Sequence, residues 1–317
     1  MPCYNPLTGY RSRYVNESGK RPIVFKSELS DGSEAIPIPC GQCIGCRLEY
    51  SRQWAMRCYH ESQLHQDNAF ITLTYNDENL PVDRSISKRE LQLFVKRLRK
   101  AIAPKKIRFF ACGEYGSKEK TFRPHYHAII FGYDFPDRVL HTKKNGHLLF
   151  TSKLLDSAWQ HKGHALIGAV TFESAAYVAR YVTKKRKGKD TRVDPHTGRM
   201  QTENYDVVNP VTGEVWQVEP EFCLMSRRPG IGREWFEKFR GDVEKDFVTL
   251  MDGQKVGLPQ YYDRLLEKED EEDFLQRKEK RKEAVDKEDN TRKRLKVKEV
   301  VKEAQLNQLK RGLENEC

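Results

Sequence analysis

Residues 123–131 read RPHYHAIIF, and this stretch constrains the chain more than any other. From Tyr126 the run is aromatic and β-branched and ends at Gly132, the pattern of a strand over 126–132. Side chains on a strand alternate between the two faces of its sheet. His125 and His127 therefore point one way, while Tyr126, Ala128 and Ile130 point the other. Such a segment calls for a sheet with an apolar layer on one side and a polar site on the other.

The flanking sequence supplies partners for that sheet. FITLTY, residues 70–75, alternates and is rich in β-branched and aromatic residues, so it reads as a strand. IRFFACGE, residues 107–114, reads as another and pairs with 126–132 as a hairpin. Between them, Ser87 is placed to cap a helix over 88–102. Leu91, Phe94, Val95, Leu98 and Ile102 give that helix one apolar stripe. Further helices are expected at 47–65, 152–159, 174–185 and REWFEKF from Arg233. VWQV and FCLM read as short strands.

Two neutral imidazoles on one face can bind a divalent cation. The preceding strand ends in Cys112-Gly113-Glu114, and pairing with the histidine strand brings Glu114 to the same face. Two histidines and a carboxylate with open positions suit an ion that also holds a substrate oxygen. For a phosphate substrate that ion is Mg or Mn. Two surface histidines at a strand edge would look the same in sequence, so the H-x-H pair needs support from elsewhere in the chain.

Downstream lies AAYVARYVTKK, residues 175–185. Tyr177 and Tyr181 are four residues apart, about one helical turn, so both phenols share a face. Lys184 sits three residues beyond Tyr181 and sets an ammonium on that side. An aromatic pair at this spacing is also an ordinary core feature. The basic run that comes next, KKRKGK, weighs toward a phosphodiester partner. A phenol is a weak nucleophile near neutral pH. A metal-polarised phosphate and a nearby cation such as Lys184 offset that weakness. With two phenols, one can hold a covalent phosphotyrosine while the other attacks again.

Composition agrees with an anionic partner. The 317 residues carry 57 Lys and Arg against 46 Asp and Glu, a net charge of +11. That balance favours nucleic acid first and an anionic membrane second. No run of about 18 apolar residues is present, so no membrane span is expected. The first residues, MPCYNPLTGYRSRY, lack the apolar centre of a signal peptide, and a cytoplasmic location is expected.

Three of the eight cysteines cluster as CGQCIGC. Cys40, Cys43 and Cys46 have C-x-x-C spacing, and Cys58 comes twelve residues later. Four thiolates from these residues would close a structural zinc site. Thiols simply packed at a helix start are the alternative, and the sequence leaves both open. Lys96 to Lys100, Lys185, Arg186, Lys187, Arg227 and Arg228 are candidate phosphate contacts. Pro229-Gly230-Ile231-Gly232 is either a backbone anion cradle or a tight turn.

FITLTY, RPHYHAIIFG and AAYVARYVTKK, in this order and spacing, resemble the motifs of the HUH endonucleases, named for histidine–hydrophobic–histidine. Tyr126 is the hydrophobic residue. CGQCIGCRLEYSRQWAMRCYHE, FFACGEYGS and MSRRPGIGREWFEKF narrow the resemblance to replication initiators of Microviridae single-stranded DNA phages, the gokushovirus branch. The likeness spans about 38–240. It implies an α+β fold, a central antiparallel β-sheet flanked by helices, with a charged tail that is helical or disordered. Residues 1–66 would form an irregular leader with the Cys-rich segment and a helix, 67–240 the nicking domain, and 241–317 the tail.

The resemblance also implies a reaction: rolling-circle initiation on origin DNA, single-stranded or locally melted. One of Tyr177 and Tyr181 would nick the origin strand of replicative-form DNA and stay joined to the 5′ phosphate. The other would act after a round of synthesis, and strand transfer would close the circle. His125 and His127 carry over as metal ligands, with Glu114 as the third. The location would be the host cytoplasm, with a host polymerase and helicase as candidate partners. Two other readings are a transposase or relaxase of the same chemistry and a non-catalytic, zinc-stabilised nucleic-acid-binding protein.

Overall fold

The computed structural model describes residues 3–17, 19–116, 123–144, 146–184, 205–209, 211–243, 246–249, 253, 255–286 and 288–308, with the side chains of 181–184 excepted. The chain begins with three short strands, β1 (Leu7–Arg11), β2 (Ile23–Val24) and β3 (Ile36–Ile38), and a long helix, α1 (Ile44–Ser62). Next come β4 (Asn68–Thr74), α2 (Lys88–Ala101), β5 (Arg108–Tyr115) and β6 (Pro124–Phe131). The hairpin β7 (Val139–Lys144) and β8 (His147–Thr151) leads to α3 (Lys153–Ala158), β9 (Ala165–Gly168) and α4 (Phe172–Lys184). Then come β10 (Asp206–Val208), β11 (Val215–Gln217), β12 (Phe222–Met225), α5 (Arg233–Lys238) and α6 (Arg240–Val243). The last elements are β13 (Phe247–Thr249), β14 (Lys255–Gly257), α7 (Gln260–Glu269), α8 (Glu271–Glu283) and α9 (Arg292–Gln308).

Contacts divide the molecule into two units. One gathers the described residues up to Tyr50 with those from Lys278 onward; the other runs Ser51–Arg277. The larger unit is built on a seven-stranded sheet in the order β12-β5-β6-β4-β9-β8-β7, with antiparallel pairing throughout. This is the α+β architecture with a central antiparallel sheet and flanking helices that the sequence led us to expect. The described part of the tail, 241–317, holds the short hairpin β13–β14 followed by the helices α7, α8 and α9.

Alternation separates the two faces of the central strands. Ala69, Ile71 and Leu73 of β4, Ala111 and Tyr115 of β5, and Tyr126, Ala128 and Ile130 of β6 enter one core layer. There they meet Leu91, Phe94, Val95 and Leu98 of α2, and Trp159. Helix α2 starts where its cap chemistry says it should. Ser87 is extended and its side chain accepts from the Glu90 N–H, satisfying an otherwise orphaned amide. Leu91, Phe94, Val95 and Leu98 form the buried stripe of α2, and its polar residues fill the outward face.

The opposite face carries Phe70, Phe110, Cys112, Ile129 and Phe131, covered by Ala175, Tyr177 and Val178 of α4 and by Cys58 of α1. All eight residues of β6 are buried, so its two histidines lie inside the protein and not at a wet strand edge. A third cluster forms around Trp235, Phe236, Tyr262 and Leu266. There His60 stacks on Trp235 at 3.5 Å, and burial holds its ring neutral, with a pKa lowered to about 3.

Two readings that the sequence left open are narrowed by this fold. In the stretch 229–232 one backbone amide is already taken. The Gly232 N–H donates to Glu61 Oε2 at 2.7 Å, so the protein's own carboxylate already occupies that amide. Glu61 is fully buried, with Arg108 Nε at 2.5 Å. Gly232 has φ 78, which a side chain would oppose. Within Lys96 to Lys100, Arg97 is not a free phosphate contact. It donates to the Ala158 carbonyl at 2.8 Å and to Glu90 at 3.0 Å, while Lys96, Arg99 and Lys100 lie nearer the surface.

Candidate functional site

The site grows from strand register. Glu114 of β5 sits directly opposite His125 of β6, and Cys112 opposite His127. On the other side of β6, Thr72 of β4 is opposite His127. Side chains directly opposite on one face lie within ~5.5 Å at Cβ, so this register makes Glu114 a neighbour of both imidazoles. Glu114 Oε1 lies 3.0 Å from His125 Nε2 and 2.9 Å from His127 Nε2. All three side chains are buried. Gly113, beside them, leaves room on the far face, where a Cβ would meet the Phe222 ring at 2.9 Å.

The far nitrogens of both rings are also engaged. His125 Nδ1 is 3.1 Å from the Arg123 carbonyl oxygen. A carbonyl only accepts, so Nδ1 carries the proton and donates it, leaving a lone pair on Nε2. His127 Nδ1 is 3.0 Å from Thr72 Oγ1, which accepts in the same tautomer. Two Nε2 lone pairs then face one carboxylate oxygen. Such a cluster repels itself unless a cation, or an added proton, lies among the three atoms. Burial by itself would raise the Glu114 pKa; when the added proton sits on Nε2, the hydrogen bonds that His125 and His127 then donate outweigh burial and hold the carboxyl at about 2. The carboxylate is thus ionised. The two nitrogens and one oxygen lie within 4.8 Å of one another. This N,N,O donor set, with outer hydrogen bonds orienting each ring, fits a divalent ion.

Helix α4 brings a phenol to this cluster. Tyr177 is 3% exposed, and its hydroxyl lies 3.4 Å from His127 Nε2. The ring meets His127 edge-on, with centroids 5.0 Å apart, and Phe70 at 6.2 Å. Tyr177 is therefore a core aromatic by its ring and a site residue by its oxygen. The Arg180 guanidinium lies 5.3 Å from the Tyr177 ring centroid, one helical turn along the same face. It adds a cation beside the phenol.

The other expected residues lie apart from this cluster or beyond the described part of the chain. Tyr181 and Lys184 belong to α4, but their side chains lie outside the described residues, and Lys185, Arg186 and Lys187 lie outside them altogether. Arg227 and Arg228 are in the turn before α5. The expected thiol set changes by one member. Cys58 is fully buried among Phe70, Phe110 and Ile129. The cysteines that converge are Cys3, Cys40, Cys43 and Cys46.

Sequence reasoning missed Thr72, Arg180 and Cys3. Arg180 was open to discovery, three residues from Tyr177 on a helix. Thr72 needed the register of β4 against β6. Cys3 lies thirty-seven positions before Cys40, at no diagnostic spacing.

Comparison with known proteins agrees with this picture. A family model described as replication-associated protein ORF2/G2P matches residues 68–186, the span from β4 through α4 that holds every residue of the site. The chain is 33% identical over 274 residues to Replication-associated protein VP4 of Bdellovibrio phage phiMH2K, covering 83% of this chain and 76% of that protein. It is 31% identical over 297 residues to Replication-associated protein ORF2 of Spiroplasma virus 4, covering 86% and 83%. Replication-associated protein ORF4 of Chlamydia phage 1 is 26% identical over 243 residues, covering 74% of this chain and 54% of its own length. No solved structure matches. On the strength of these relatives, and of a match that falls on the sheet and helix carrying the site, the chain belongs to the phage replication-associated proteins of the ORF2/G2P family.

Proposed function

We propose that this protein initiates rolling-circle replication by nicking one strand of origin DNA with a tyrosine nucleophile. The observation that carries the reading is the 3.4 Å approach of the Tyr177 hydroxyl to His127, a member of the buried Glu114–His125–His127 donor set. A phenol, a divalent-ion site and a cation are the three parts that phosphoryl transfer to tyrosine requires.

His125, His127 and Glu114 would hold the ion, Mg or Mn. When bound, it supplies Lewis-acid polarisation of the scissile phosphate and counter-charge for the extra negative charge of the transition state. Tyr177 directs its oxygen at phosphorus. A phosphorus–oxygen bond to tyrosine forms as the bond to the 3′ oxygen breaks. The phenol gives up its proton and the departing 3′ oxygen takes one up. The products are a 5′-phosphotyrosine and a free 3′ hydroxyl for a polymerase. Arg180, beside the Tyr177 ring, sets a cation near the negative charge that develops in the transition state. Thr72 and the Arg123 carbonyl hold the imidazoles in one tautomer.

Tyr181 is proposed as the second nucleophile, one turn along α4, with Lys184 as its neighbouring cation. Attack by the 3′ hydroxyl on the phosphotyrosine then closes the progeny circle and releases the phenol. Lys185, Arg186, Lys187, Arg227 and Arg228 are proposed to contact the DNA backbone. The substrate is single-stranded or locally melted DNA, because the site is buried against a sheet and a duplex is too wide to enter.

The test is incubation with labelled single-stranded origin DNA and Mg or Mn, then a denaturing gel. A covalent protein–DNA band that EDTA abolishes is the expected result. Retarded DNA under native conditions with no covalent band at any metal concentration would instead favour a binding protein without catalysis.

A further inference from the structure

The smaller unit, made by the described residues up to Tyr50 and from Lys278 onward, has almost no apolar interior. Its buried hydrophobic side chains are Cys3, Cys43 and Leu295. Its sheet, β2-β1-β3, has strands of two, five and three residues. Leu7, Ile23, Phe25 and Leu29 stay exposed. So little buried surface does not offset the entropy of ordering these residues. Small units with this deficit are held by a cross-link or a metal.

Four cysteines meet where such a link is needed. Cys3 Sγ is 3.8 Å from Cys40 Sγ, and Cys40 Sγ is 4.0 Å from Cys46 Sγ. All four sulfurs of Cys3, Cys40, Cys43 and Cys46 lie within 4.8 Å of one another. Thiolates placed tetrahedrally at ~2.3 Å from zinc have sulfur–sulfur edges of about 3.8 Å. A disulfide would bring one pair to ~2.05 Å, and all four are free thiols. The observed spacing is that of a tetrathiolate cage.

The backbone around the sulfurs is arranged for negative charge. Cys3 Sγ accepts from the Cys40 N–H at 3.3 Å. Cys40 Sγ accepts from the N–H groups of Gln42 and Cys43 at 3.4 and 3.3 Å. Cys43 Sγ accepts from Tyr4 at 3.3 Å and Cys46 at 3.5 Å. Five amide dipoles converge on three sulfurs, the kind of outer support that metal-bound thiolates receive. Helix α1 begins at Ile44, so Cys43 and Cys46 also sit at its positive end.

We propose that Cys3, Cys40, Cys43 and Cys46 bind a structural zinc ion that ties the chain start to the beginning of α1. Four thiols lose four protons and the ion takes four sulfur ligands, with no change of oxidation state. All positions are filled by protein, so the site has no place for substrate. It is separate in residues and chemistry from the Glu114–His125–His127 set, and it stands whether or not the nicking reading holds.

The test uses the full chain purified under reducing conditions and dialysed against metal-free buffer. Elemental analysis should find about one zinc per chain. The ion should remain in a His125→Ala/His127→Ala double variant and in Cys223→Ser, and be lost in Cys3→Ser. Should Cys3→Ser fail to fold, thiol alkylation of the wild type with mass mapping decides the matter. Cys3, Cys40, Cys43 and Cys46 should react at least ~10-fold faster after a strong chelator is added, while Cys112 is unchanged. Wild-type protein with no zinc, zinc that is lost with the histidines and not with Cys3, or alkylation of the four thiols unaffected by chelator would each overturn the proposal.

Discussion

Replacing Tyr177 by phenylalanine removes one oxygen and leaves the ring. The hydroxyl stands 3.4 Å from His127 Nε2, beyond the ~2.7–3.2 Å of a strong hydrogen bond, so its loss should cost about 1 kcal/mol or less. The ring keeps its packing against His127 and Phe70. At about 2–4 °C per kcal/mol for a unit of this size, Tm should fall by no more than that. Chemistry should respond far more. Enzymes typically accelerate reactions by at least ~10⁶-fold, and sites stripped of their nucleophile keep only ~10³–10⁴ over water. Covalent joining through residue 177 should vanish in Tyr177→Phe, and remaining cleavage should run through Tyr181. In Tyr177→Phe/Tyr181→Phe, cleavage should fall at least ~100-fold, with no covalent band. The assay is labelled origin oligonucleotide with Mn, gel separation of the adduct, then digestion and mass mapping of the joined peptide. Two outcomes refute the reasoning: a double variant that cleaves at the wild-type rate, or a Tyr177→Phe protein destabilised by several kcal/mol, which would make the hydroxyl part of the fold.

Thr72→Val keeps shape but removes the oxygen that His127 Nδ1 addresses at 3.0 Å; Mn affinity by calorimetry should weaken about 10–100-fold with Tm nearly unchanged, and unchanged affinity would show that Thr72 does not orient the ring. Glu61→Gln should cost roughly 3–5 kcal/mol because it leaves the Arg108 charge, only 15% exposed, without its carboxylate partner. The same substitution should flatten the acid limb of stability. Burial alone would raise the Glu61 pKa, yet His65, the Gly232 N–H and Arg108 hold it below its ordinary value. Its folded pKa is thus lower than the unfolded one, so its contribution is present above about pH 4.3 and lost as pH falls below that. Urea melts at neutral and acid pH check this, and a wild-type stability that rises on acidification would contradict it.

Most secondary structure was legible because its causes are local. The stripe of α2 and its Ser87 cap arise from residues within one or two turns. The two faces of β6 come from alternation alone, and Tyr126, Ala128 and Ile130 do enter a different layer from Ile129 and Phe131. Where the sequence left a choice open or misled, the deciding partner was remote. Nothing near Gly232 in sequence announces that Glu61 will take its N–H. Nothing near Arg97 announces the Ala158 carbonyl. Cys58 had plausible spacing to Cys46, but α1 turns it into the apolar layer under the sheet.

By itself, then, the sequence determined which residues share a face: His125 with His127, Tyr177 with the turns beside it on α4, the apolar stripe of α2. Periods of 2 and 3.6 are properties of the backbone and need no tertiary context. Only the folded chain decided which faces meet. Backbone ladders form equally well in neighbouring registers. It took packing on both sides of β6 to set Glu114 opposite His125, Thr72 opposite His127 and the Tyr177 oxygen beside them. The same holds for Cys3, brought to Cys40 by the path of the first strands, since contact between distant residues depends on where the chain goes and not on how they are spaced.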